Sequence, residues 1–153
     1  MKMIRMISVF LARIFLSALF LGSAAEKLFQ WQDTERGLLT ALCEWQVYAG
    51  YFLPMQECMA SLVPWSSLLS LFAVLLEFAG GLMILFGCKE KLGAGLLSLL
   101  LIPVTLIFHP FWFLEGGARD IQSAMFFKNL AIMGGLILVV LYGAQTRDSS
   151  TDD

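Results

Sequence analysis

Residues 66–87 read SSLLSLFAVLLEFAGGLMILFG, an apolar run whose single charge is Glu77. A helix of ~20 mostly apolar residues is long enough to cross a bilayer. The run has no polar face, and in a short chain that marks a membrane span rather than a core helix. Three more stretches match it. Residues 3–25 carry Arg13 well inside, residues 92–114 carry His109, and residues 126–144 carry Lys128 near their start. The chain therefore reads as all-α, an integral membrane four-helix bundle filling residues 1–145 as one domain. The polar residues 146–153 read as a disordered cytoplasmic tail.

Composition points the same way. Charged residues make up 14% of the 153-residue chain, against about 25% in soluble domains, and mean hydropathy is +0.79. A net charge of −2 gives no reason to expect a nucleic-acid partner. The three cysteines form no CxxC or Cys/His pattern, so no metal site is expected.

The first span has the outline of a secretory signal, with Lys2 and Arg5, an apolar run and Ser23-Ala24-Ala25. Arg13 interrupts that run, the run is long for a signal, and further spans follow. These features predict a first helix that is retained as a span. Lys2, Arg5, Lys89, Lys91 and Arg147 then lie on one side of the membrane. The 26–65 and 115–125 connections mix Lys27, Arg36 and Arg119 with many acids. The positive-inside rule places both termini and the 88–91 turn in the cytoplasm.

The long outer connection is more than a turn. Leu38, Leu42, Trp45, Ala49 and Phe52 recur at helical spacing. The pattern predicts an interfacial amphipathic helix over about 34–53, ending at Pro54. The same face suits packing over the outer end of the bundle.

Two polar groups stand out, because charges within spans seek a partner or a cavity. Arg13 and Glu77 each lie about 15 Å from the inner end of their helices, which predicts a buried Arg13–Glu77 ion pair. Lys27, His109, Trp112, Lys128 and Asn129 come from helix ends on the outer side. They predict one outer pocket suited to an anionic or quinone-like head group, or else an aromatic and cationic belt. Pro103 removes the amide that would bond Leu99 and aims the His109 segment. Glycines at 80–81, 93, 95 and 134–135 suit close helix packing. Cys43 and Cys58 share the outer connection and are a candidate disulfide, while Cys88 is expected to be a free thiol.

These residues resemble the DoxX family of small bacterial membrane proteins. The first-helix pattern is Arg13, Leu16, Phe20-Leu21-Gly22 and Lys27, and the second is Glu77-Phe78-Ala79-Gly80-Gly81 with Gly87. Pro103, Thr105, His109-Pro110-Phe111-Trp112, Phe127-Lys128-Asn129-Leu130-Ala131 and Gly134-Gly135 carry the rest. Pro110 departs from the more usual His-Asn-Phe-Trp form, so a contact made by that amide side chain has no counterpart here. The resemblance implies a multi-pass protein of the bacterial inner membrane, in contact with lipid and with a membrane or periplasmic redox partner. It implies an accessory role in a quinone- or thiol-linked system, with a quinone as the candidate cofactor. Arg13 and Glu77 keep a transporter open as an alternative, and a non-catalytic scaffold is a third. No nucleophile–base pair or cofactor-binding glycine loop marks a self-contained enzyme.

Overall fold

The structure is a computed structural model that describes residues 2–143. The tail expected at 146–153 lies outside the described residues. The described chain is helical: α1 (Lys2–Phe29), α2 (Trp31–Tyr48), α3 (Leu53–Leu62), α4 (Ser66–Phe86), α5 (Glu90–Phe108) and α6 (Gly116–Tyr142). Short 3-10 turns cover Val63–Trp65 and Phe111–Phe113. Four segments are long and apolar enough to cross a membrane: Met6–Phe29, Leu53–Phe86, Glu90–Phe113 and Gly116–Tyr142.

Local chemistry sets the helix ends. Gly87 takes a left-handed conformation, φ 66°, and stops α4, because a residue without Cβ tolerates that region. Pro54 does not end a helix as expected. It opens α3 in the first turn, where a missing amide costs nothing. The helix in the outer connection ends earlier, at Tyr48, and Gly50 (φ 52°) turns the chain back. Pro103 sits inside α5 without ending it.

The bundle is antiparallel along the order α1, α4, α5, α6. Gly81 receives Leu21 of α1, Gly80 receives Leu97 of α5, and Gly93 faces Gly80 and Met83. Added Cβ atoms at Gly80 and Gly93 would come within 2.6 Å of Leu97 and 2.8 Å of Met83. These glycines therefore set how closely α4 and α5 approach. Phe20, Ile84, Ala94, Leu97, Leu101 and Leu136 form the core. Large apolar side chains such as Phe15, Phe72, Leu99 and Leu138 face outward, as lipid-facing helices require.

Candidate functional site

Inward-facing positions of α1 recur at Arg13, Ser17, Phe20, Ala24 and Lys27. Alternating four- and three-residue steps keep side chains on one stripe, so both cations of the stripe point into the bundle. The Leu21–Gly81 contact fixes the register of α1 on α4, and Arg13 then lies against Gly87. Consequently Arg13 does not pair with Glu77. Arg13 pairs with Glu90 at the start of α5, and Lys27 Nζ donates to Glu77 Oε1 at 2.5 Å. The expected pair assumed that α1 begins at the depth where α4 ends. In the bundle, Glu77 is ten residues, about 15 Å, from the level of Arg13. Glu90 falls within the short 88–91 turn and was not singled out from the sequence. Its one local signal is an acid in the first turn of a helix, a position favoured by the helix dipole.

The Lys27–Glu77 pair lies near the middle of α4. Glu77 is 5% exposed, and its Oε2 has no hydrogen-bond partner among the described residues. Lys27 keeps partial access to the surface. Toward the end of the bundle that carries α2, named the outer end by position alone, Asn129 Nδ2 donates to Thr105 Oγ1 at 3.1 Å within the interior. Ser66 and Ser70 are buried on the Glu77 face of α4. The outer half of the bundle therefore holds a polar layer. Core residues Phe20, Ile84, Leu97 and Leu136 lie between it and the Arg13–Glu90 pair.

A cap covers the outer end. Leu42 of α2 is fully buried, and Trp45 Nε1 donates to the Ile107 carbonyl at 3.0 Å. That carbonyl lies in the last turn of α5, where the helix supplies no donor of its own. Trp45 packs edge-on against Trp112 and Phe113, with centroids 6.1 and 5.4 Å apart, and Tyr48 stacks on Phe113. Phe111 and Phe126 extend the cluster. The helix expected at the interface thus buries Ala41, Leu42 and Trp45 against the bundle.

The five residues expected in one outer pocket are divided. Lys27 and Asn129 belong to the polar layer in the outer half of the bundle. Trp112 is part of the aromatic cap. His109 ends α5, and its Nδ1 donates to Gln122 Oε1 at 2.6 Å. Lys128 is exposed and bonds Met125 Sδ at 3.2 Å. Neighbouring residues on a helix point about 100° apart, so Asn129 faces inward and Lys128 outward. Gln122 was missed because an uncharged polar residue in a long helix carries little sequence signal, and Thr105 entered only through the family resemblance, not as a site residue. Cys43, Cys58 and Cys88 are exposed free thiols. No group of three or more His, Cys, Asp or Glu is placed to hold a metal ion among the described residues.

The DoxX family model matches residues 8–110. The chain is 29% identical over 143 residues to the inner membrane protein YqjF of Escherichia coli (strain K12), covering 94% of this chain and 89% of that protein. It is 35% identical over 75 residues to the ER-derived vesicles protein ERV29 of Saccharomyces cerevisiae (strain ATCC 204508 / S288c). That match covers 49% of this chain and 24% of ERV29. No solved structure gives a significant match.

Proposed function

This chain belongs to the DoxX family and is a multi-pass membrane protein, and we propose that it is an accessory subunit of a membrane redox system that binds a quinone head group in its outer half. The free Oε2 of buried Glu77 carries this reading. A buried carboxylate oxygen without a donor is costly, and a ligand hydroxyl would supply one. The Lys27 ammonium beside it suits a carbonyl oxygen. A quinol offers the hydroxyl and a quinone the carbonyl, each on a flat ring compatible with the aromatic cap above.

In this reading the chain positions and shields the head group while a partner carries out electron transfer. Lys27 would orient an oxygen of the ring, Glu77 would accept a proton-bearing hydroxyl, and the Trp45 cap would keep water from the layer. The apolar core beneath the site favours one-sided binding over a transport path, because moving a charged solute past Phe20, Ile84 and Leu97 would require them to part.

Titration of the detergent-solubilised protein with a short-chain quinone, followed by tryptophan fluorescence, tests the proposal. Saturable quenching is expected, with affinity reduced about tenfold, or ~1.4 kcal/mol, in Glu77→Gln. Identical titrations for parent and variant would remove Glu77 from the site. Absence of saturable quenching, together with no quinone in solvent extracts of the purified protein, would reject quinone binding.

A further inference from the structure

Three of the four long helices end on one level. Phe86 closes α4, Glu90 opens α5, and Gly143 just beyond α6 lies against Glu90. Arg13 meets this level through Gly87 and Glu90, yet α1 begins at Lys2. About ten residues of α1, ~16 Å of helix, therefore extend past the end of the bundle. Met3, Ile4, Met6, Ile7, Phe10 and Leu11 of this arm are all exposed.

The level itself marks a water boundary, because Lys89 and Lys91 are exposed there. Holding Met6 at acyl depth with α1 upright would draw these lysines about 10 Å below the surface. Leaving the arm upright in water would instead expose six large apolar side chains. Helical periodicity offers a third arrangement. At 100° per residue, Met3, Ile4, Ile7, Phe10 and Leu11 share one face, while Ser8, Ala12 and the sequence positions of Lys2 and Arg5 share the other. The stretch contains no acid.

We infer that the Met3–Ala12 arm is a membrane-surface anchor that binds the anionic phospholipid interface at the Arg13 end of the bundle. Its apolar face enters the boundary between head groups and acyl chains, and its basic sequence positions match the lipid phosphates. The arm must then bend away from the bundle axis near Arg13, where the contacts with Gly87 and Glu90 hold the rest of α1 in place. By the positive-inside argument the leaflet is the cytoplasmic one, but the contact itself depends only on lipid charge and on the exposed face.

The test uses the full chain with Cys43, Cys58 and Cys88 changed to serine and a fluorophore attached through Ile7→Cys, with Ser8→Cys as the polar-face counterpart. Vesicles contain phosphatidylcholine alone or equal parts phosphatidylcholine and phosphatidylglycerol. In the anionic vesicles, a quencher at the head-group boundary should dim the Ile7 label about threefold more than aqueous iodide does, and the order should reverse at Ser8. Changing Lys2 and Arg5 to glutamine should reduce the anionic-vesicle result to that of phosphatidylcholine. Equal iodide access at both labels would place the arm in water and overturn the inference. Protection of Ile7 from both quenchers, with crosslinking between Ile7→Cys chains, would overturn it in favour of a second copy. Unchanged thermal unfolding of the labelled variants confirms that the bundle is intact.

Discussion

Two ion pairs hang from one face of α1, and they sit in different surroundings. In both, the carboxylate is buried and the cation keeps partial access to the surface. Glu90 stands in the first turn of α5, where free backbone amides and the helix dipole support a negative charge. It also lies where the ends of α4, α5 and α6 meet. Glu77 lies mid-helix, has no such support, and keeps one oxygen unpartnered. Glu90 Oε2 also lacks a hydrogen-bond partner among the described residues, but it lies against Arg13 Nη2, so the inner pair closes a helix junction with that oxygen facing its cation. The outer pair leaves a need that a ligand can meet. A buried charge is informative about function when its local environment leaves it incompletely satisfied.

This contrast is open to direct challenge. Lys27→Met should produce the largest loss of stability, about 3 kcal/mol, because Glu77 is left buried without a counter-charge. Thermal unfolding in mild detergent measures it, and a parental melting temperature would mean that Glu77 has other support. Arg13→Met should cost less, about 2 kcal/mol, since the α5 terminus still stabilises Glu90. The reverse ranking of these two variants would undo the comparison.

Packing between the two pairs supplies a smaller effect. Gly93→Ala should destabilise by about 1–2 kcal/mol, since its Cβ would meet Met83 and the Gly80 carbonyl. Gly95→Ala, with nothing within 4 Å, should leave the melt unchanged. Equal melts for these two glycine variants would show that α4 and α5 can separate freely at this level. Thr105→Val should have the smallest effect, about 1 kcal/mol, by removing the acceptor for Asn129. If its unfolding matches the parent while quinone titration weakens, the Thr105–Asn129 bond serves the ligand more than the bundle.

Much of the fold was legible in the chain. Apolar runs long enough to span a bilayer dictate helices, because backbone polar groups must be satisfied within the segment. The Gly87 turn and the helical spacing of Leu38, Leu42 and Trp45 were readable on the same local grounds. Individual site residues were legible as types: Lys27, Glu77, Arg13 and Asn129 are polar groups in apolar surroundings and do face inward. Their partners were not legible. Pairing depends on the axial offset between α1 and α4, which is set by Leu21 seating on Gly81. Inward or outward placement of Lys128 and Asn129 depends on the rotation of α6, which nothing local fixes.

By itself, then, the sequence determined that the chain is a helical membrane protein with a few expensive polar groups in its spans. Hydrophobic length and periodicity are local properties, and they suffice for that conclusion. Only the tertiary structure decided that Arg13 goes to Glu90, that Lys27 goes to Glu77, and that ten residues of α1 outrun the bundle. Side-chain packing sets the offset of one apolar helix on another, and the bilayer alone is nearly indifferent to such a slide.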